Sequence, residues 1–262
     1  MNAIVIETPL LEVKALGYSF GTRAACIDIS FDLYPGEVLA VVGESGSGKT
    51  TLLRCLSGQL RPNGGRVLFQ SRTSEMIDVW AVSEASRRLL TRTDWGFVLQ
   101  NPRDGLRADV SAGANIGERL MAIGARHYGN IRREASSWMD KVELDTARID
   151  ELPAAFSGGM QQRLQIARNL VSQPRLVFMD EPTAGLDVSV QARLLDLLRG
   201  LTSDLGLAAV IVTHDLAVAR LLAHRTLVMN AGLVVEAGLT DQVLDDPQHA
   251  YTQLLVSSAL PA

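Results

Sequence analysis

Eight residues, Gly43-Glu44-Ser45-Gly46-Ser47-Gly48-Lys49-Thr50, fit the spacing G-x-x-x-x-G-K-[ST]. They lie between two segments of different character: Val38 to Val42 is a short apolar, β-branched run, and Thr51 to Leu60 reads as a helix. Such a loop leaves the backbone free to wrap phosphate oxygens at a helix N-terminus. Lys49 reaches the terminal phosphates, the Thr50 hydroxyl is placed to hold Mg²⁺, and Thr51 follows in the first helical turn. The arrangement works only between a strand and a helix, so the fold must supply a strand ending at Val42 and a helix starting just behind it. An ordinary Gly/Ser turn would seldom bring both flanks with it.

Further short strands are expected at Trp95 to Leu99, Leu176 to Asp180, Ala208 to Thr213 and Thr226 to Met229, separated by helical patterns. Strands alternating with helices imply an α/β fold with a parallel sheet covered on both faces. Between Pro102 and Ser172 strand signals vanish, and helical spacing takes over in Ile116 to Gly124, Ile131 to Val142 and Met160 to Ser172. This predicts an inserted helical subdomain over residues 101–172, with residues 1–100 and 173–244 forming the core. In residues 1–37, Tyr18, Phe20, Ile29, Phe31 and Leu33 partly alternate, as in antiparallel strands capping that core, and residues 245–262 read as a short tail.

The length of 262 residues suits one such domain. With 25 Lys and Arg against 29 Asp and Glu, a formal charge of -4 gives no global attraction to nucleic acid or anionic lipid. No apolar run approaches the ~18 residues of a membrane span, and no basic stretch leads into a cleavable leader. A soluble, cytoplasmic chain without direct membrane insertion is expected. Cys26 and Cys55 lack C-x-x-C spacing and are expected to be reduced thiols.

Leu176 to Asp180 is an apolar run that ends in two carboxylates, Asp180 and Glu181, followed by Pro182. At the carboxyl edge of the sheet, Asp180 would hold Mg²⁺ through water while Glu181 polarises the water attacking a γ-phosphate. Taken alone, a solvated strand end with two acids is the competing reading. In Phe156-Ser157-Gly158-Gly159-Met160-Gln161-Gln162-Arg163, Ser157 is placed to cap a helix running to Ser172, and Gly158 and Gly159 admit an anion to its exposed N–H groups. A capped core helix with Met160, Leu164, Ala167 and Val171 facing inward is compatible with the same residues.

Together these segments resemble the ATP-binding cassette (ABC) ATPase family over nearly the whole chain. Gly43 to Thr50 matches its Walker A loop, Leu176 to Glu181 its Walker B strand, and Ser157-Gly158-Gly159 with Gln161 its signature. Gln100, Ala184-Gly185-Leu186-Asp187 and His214 match its remaining motifs. Met160 departs from the glutamine that commonly follows the signature glycines. The resemblance implies a P-loop ATPase with a RecA-like parallel-sheet core, an antiparallel β subdomain and a helical subdomain. It also implies ATP and Mg²⁺ as ligands and a head-to-tail dimer, with itself or a related ATPase, that closes two ATPs. In that reading Gln100 joins Thr50 and Asp180 at the metal, and Glu181 and His214 serve hydrolysis. Ser157, Gly158, Gly159 and Gln161 grip the partner's ATP, and Leu186 and Asp187 touch the partner. An aromatic upstream of the loop would stack on adenine; the spacing favours Phe20 over Tyr18, and either ring could instead be core. His127, His224 and His249 have no ligand-like spacing.

Two stretches are more individual. The tail, Pro247 to Leu255, resembles oligopeptide and dipeptide importer ATPases. Asn101 to Gly129, with Val110-Ser111-Ala112-Gly113 and Gly124 to Gly129, resembles ATP-binding subunits of bacterial carbon–phosphorus lyase systems. The latter resemblance implies an ATPase that docks on soluble lyase core subunits during phosphonate breakdown; a membrane importer motor is the alternative. The chain would not cleave the carbon–phosphorus bond itself, having no cysteine cluster for an iron–sulfur centre.

Overall fold

The structure, a computed structural model, describes residues 8–259. In chain order its strands are β1 (Leu11–Phe20), β2 (Arg23–Leu33), β3 (Val38–Val42), β4 (Gly64–Gln70), β5 (Met76–Asp78), β6 (Trp95–Val98), β7 (Leu176–Asp180), β8 (Ala208–Thr213), β9 (Arg225–Asn230) and β10 (Leu233–Leu239). The helices are α1 (Lys49–Leu56), α2 (Glu84–Thr93), α3 (Pro102–Gly105), α4 (Ala112–Ala122), α5 (Tyr128–Lys141), α6 (Gly158–Leu170), α7 (Val188–Leu205), α8 (Leu216–Leu222), α9 (Thr240–Asp245) and α10 (Ala250–Ala259). They form two compact units, one built from the chain up to residue 87 and from 206 onward, the other from residues 88–205.

In the first unit β3 lies parallel to β8 on one side and β9 on the other, and β10 closes antiparallel on β9. Every residue of β3 and β8 is buried, as the unbroken apolar runs Val38 to Val42 and Ala208 to Val212 require of strands covered on both faces. Val42 stands beside Thr213, so the chain leaves β3 into the glycine-rich loop at the same sheet edge where β8 runs into His214. A second, antiparallel sheet has the order β2-β1-β4-β5. Of the alternation expected before residue 37, Ile29, Phe31 and Leu33 are buried along β2 together with Cys26, whereas Tyr18 is half-buried and Phe20 exposed on β1; positive φ at Ala15 (49°) and Asp28 (50°) lies near the irregularities of the pairing. The sheet also takes β4 and β5, which were not expected. β4 opens with three exposed residues and β5 has three half-buried ones, too little contrast for a periodic signal.

In the second unit β6 and β7 pair in parallel, Trp95 with Leu176 through Val98 with Met179. Phe178 stacks on Phe97 at 5.4 Å and meets Trp95 edge-on at 5.6 Å. Helices α4, α5 and α6 bury Ile116, Trp138, Met139 and Leu164. The side chains of Ser111, His127 and Ser157 cap their N-termini.

Several sequence boundaries move: α4 and α5 begin at Ala112 and Tyr128 rather than Ile116 and Ile131, and α6 ends at Leu170 rather than Ser172. The helix expected to reach Leu60 ends at Leu56, because Gly58 adopts φ 75° just past the Ser57 cap. The tail from Asp245 is largely the helix α10. Among the described residues no helix is long and apolar enough to cross a membrane.

Candidate nucleotide-binding site

The glycine-rich loop is held by its own lysine. Lys49, 7% exposed, donates from Nζ to the carbonyls of Gly43 and Glu44, both at 2.8 Å. Gly43 (φ 148°) and Gly48 (φ 110°) are obligatory: a Cβ would stand 2.2 Å from the Met229 carbonyl oxygen at the first and 2.0 Å from that of Ala25 at the second. Glu44, Ser45 and Gly46 are exposed, and Thr50 and Thr51 lie in the first turn of α1. Ser47 is buried, and its Oγ has no hydrogen-bond partner. A buried hydroxyl without a partner beside a caged ammonium fits a phosphate oxygen as the missing acceptor.

His214, exposed, sits between Thr213 at the end of β8 and the cap of α8. The Asp215 N–H donates to the Thr213 hydroxyl at 3.0 Å, and the Asp215 carboxylate accepts from the Ala217 N–H at 2.8 Å. Phe20 is 55% exposed at the end of β1, braced edge-on by the half-buried Tyr18 at 4.9 Å. Of the two aromatics, Phe20 presents the open ring. Arg23 was not singled out from sequence, yet its guanidinium is 3.7 Å from where a Cβ on Gly46 would stand. Its signal was the hairpin itself, which sets Arg23 directly opposite Phe20.

In the second unit β7 delivers Asp180 and Glu181, both half-buried, with Glu181 in the left-handed region at φ 45°. Gln100 is exposed in the bend after β6. Both ends are tied to α6 by buried amides that sequence reasoning also missed. Gln165 accepts from the Leu99 N–H at 2.6 Å and donates back to the Leu99 carbonyl at 3.1 Å. Gln162 donates to the carbonyls of Leu99 at 3.3 Å and Pro182 at 2.9 Å, and its Oε1 accepts from Gln165 at 3.1 Å. Asn169 continues the row, accepting from the Phe97 N–H at 2.9 Å. The signal was amides at helical spacing on the core-facing side of α6, where apolar residues are the norm.

Ser157 caps α6 through the Met160 N–H at 3.4 Å; of the expected inward face Leu164, Ala167 and Val171 are buried, while Met160 is half-buried and its sulfur accepts from Arg148. The two signature glycines differ. A Cβ on Gly158 would meet open space, whereas one on Gly159 would stand 2.5 Å from Val190 of α7. Gln161 departs from its expected place at a nucleotide: it is 6% exposed and its Nε2 donates to the carbonyls of Pro153 and Phe156, both at 2.9 Å. It fixes the chain leading into the signature. Asp187 accepts from the Val190 N–H at 3.0 Å and the Ser189 hydroxyl at 2.8 Å; these bonds hold its carboxyl below the usual range. The remaining histidines serve backbone: Nδ1 of His127, His224 and His249 accepts from the N–H of Asn130, Val38 and Tyr251.

The sequence pattern of the ABC transporter family matches residues 26–184. The chain belongs to that family. A protein of Escherichia coli strain K12 named "Putative phosphonates utilization ATP-binding protein PhnK" is 65% identical over 255 residues, covering 97% of this chain and 99% of its own. A "Putative peptide import ATP-binding protein" of Brucella ovis is 37% identical, covering 95% of this chain and 77% of that protein. Among solved structures, the dimeric ATP-binding cassette MJ0796 bound to ADP and phosphate superimposes with a TM-score of 0.78 at 28% identity, covering 88% of this chain and 98% of that one. CbiO1 of Clostridium perfringens gives 0.79 at 28% identity, covering 92% of each. The fold is therefore that of an ABC cassette, with parallel-strand core, antiparallel β subdomain and helices. As an ABC ATPase the chain binds ATP with Mg²⁺ and hydrolyses it to ADP and phosphate.

Proposed function

We propose that this ABC ATPase serves phosphonate breakdown in the cytoplasm, docking on the soluble core of a carbon–phosphorus lyase as a head-to-tail dimer with itself or a related ATPase. The observation that carries the proposal is the 65% identity to the phosphonate-utilization protein across 97% of the chain, against 37% for the peptide-import protein.

The nucleotide roles are those of the family motifs, and the local geometry supports them. The loop from Glu44 to Gly46, with Ser47 and Lys49, receives the phosphates, and Phe20 stacks on adenine. By the family motifs, Thr50, Asp180 and Gln100 are the residues that would hold Mg²⁺, which when bound would neutralise charge on the phosphate oxygens. Glu181 takes the proton of the attacking water, and His214 hydrogen-bonds the γ-phosphate. Gly158, with open space before it, and the capped end of α6 grip the ATP of the partner, with Ser157 and Gly159 shaping that end and Gln161 supporting it from behind. Asp187 and Leu186 meet the partner chain.

The docking surface lies in Asn101 to Tyr128. Its loop is stiff: Asn115, fully buried, accepts from the Arg107 N–H and donates to the carbonyls of Arg107, Val110 and Ser111. It also exposes Met121, Ile123 and Tyr128. The test is an affinity pull-down of the tagged protein from its native cytoplasm with ATP, without it, and with Glu181→Gln. Recovery of lyase core subunits is expected. Recovery of a permease only after detergent extraction would make the chain an importer motor. Charge reversal at Arg103 or Arg107 should weaken capture, and unchanged capture would remove this surface from consideration.

A further inference from the structure

The tail segment that includes Tyr251 finds no role in the nucleotide motifs, yet it touches them. The Tyr251 hydroxyl accepts a hydrogen bond from the Glu44 N–H at 3.1 Å. That N–H belongs to the Gly43–Glu44 peptide, whose carbonyl at the other end accepts from Lys49 Nζ at 2.8 Å. One peptide unit is thus held from both sides, by the lysine on its carbonyl and by the tail on its N–H. It needs holding. Gly43, at φ 148°, has no Cβ to resist rotation of this peptide, and Glu44 on the other side is exposed.

Tyr251 does not reach the loop by chance of a wandering side chain. Tyr251, Leu255 and Val256 of α10 pack against a buried cluster that includes Ala40 and Val42 of β3 and Leu216 and Ala219 of α8. These are the strand that feeds the glycine-rich loop and the helix that follows His214. The start of α10 is fixed in turn by β10: the Glu236 carboxylate accepts from the N–H groups of Gln248 at 2.8 Å and His249 at 3.0 Å. His249 Nδ1 accepts from the Tyr251 N–H at 3.1 Å.

We infer that Tyr251 is a positioning residue for ATP binding, locking the Gly43–Glu44 peptide so that the glycine-rich loop meets the nucleotide already formed. When Lys49 turns from the loop carbonyls to the phosphates, the peptide loses its hold on one side and keeps Tyr251 on the other. Without that hydroxyl, the loop must be ordered by the ligand itself, which lowers affinity without touching the hydrolytic groups.

The test is Tyr251→Phe in the full-length protein, which keeps the ring in its cluster and deletes the acceptor. The Kd for ATP in the presence of EDTA, read by calorimetry, should rise about 2- to 12-fold, the range corresponding to one hydrogen bond at 1.4 kcal/mol per tenfold. The KM for ATP should rise in parallel while kcat and the melting temperature stay at the parent's values. Glu236→Ala, which frees the start of α10 from β10, should raise Kd as well, and combining it with Tyr251→Phe should raise Kd by less than the product of the two effects. A Tyr251→Phe protein with the parent's Kd, one whose loss falls in kcat, or one that also melts at a distinctly lower temperature would overturn the assignment.

Discussion

Replacing Gln165 with Met removes three hydrogen bonds and almost no volume. Gln165 is fully buried; it accepts from the Leu99 N–H at 2.6 Å, and donates to the Leu99 carbonyl and to Gln162 Oε1, each at 3.1 Å. Methionine matches the length and fills the same space. The Leu99 carbonyl keeps Gln162 Nε2 at 3.3 Å, so two groups lose their partner from Gln165: the Leu99 N–H and Gln162 Oε1. At about 1–3 kcal/mol for each such group, reduced because Leu99 is half-buried, the expected loss is about 2–4 kcal/mol. For a chain of this size that lowers the melting temperature by roughly 4–16 °C. Thermal unfolding followed by circular dichroism reads it directly. Because Leu99 precedes Gln100, turnover should fall in the same variant while the Kd for ATP holds. A melting temperature within about 1 °C of the parent, the size of a surface substitution, would refute the claim that the α6 amides hold the end of β6.

Glu181→Gln should slow hydrolysis by about 10²- to 10⁴-fold and accumulate an ATP-bound dimer on gel filtration; parent-like turnover would remove Glu181 from its role. Lys49→Ala should weaken ATP binding by about 10- to 100-fold in calorimetry, as loss of a charged hydrogen bond implies, and unchanged binding would count against the loop. Burial pushes both thiols, Cys26 and Cys55, up to about 12. A pKa raised in the folded state contributes stability that is full below the unfolded thiol value and is lost as pH climbs toward 12. The parent should therefore lose more stability between pH 8 and pH 10.5 than a Cys26→Ser, Cys55→Ser double variant. Equal losses in urea titrations would contradict the burial argument.

Much of the site was legible because its chemistry needs particular atoms at particular spacings. Gly43 and Gly48 are irreplaceable for backbone reasons, and the runs Val38 to Val42 and Leu176 to Asp180 are strands covered on both faces, the strongest pattern a short segment offers. What sequence reasoning missed are contacts between segments distant in the chain. Tyr251 meets Glu44 across 207 positions and Gln165 meets Leu99 across 66, and neither pairing leaves a local mark. Gln161 misled because its family match says nothing of direction: only its bonds to Pro153 and Phe156 reveal that the side chain turns inward. Strands β4, β5 and β10 escaped because their residues are half-exposed, so alternation is blurred where the sheet meets solvent.

The amide row on α6 also bears on how this chain behaves in a crowded cell. Strand β6 pairs with β7 on one side, and the N–H groups of Phe97 and Leu99, two residues apart, point to its other edge. A bare edge of that kind recruits strands from neighbouring chains. Here Asn169 and Gln165 occupy both donors with side-chain carbonyls, so the helix imitates the strand that would otherwise add there. The same glutamine that steadies the approach to Gln100 therefore guards against aggregation, and its loss should show first in solubility on overexpression.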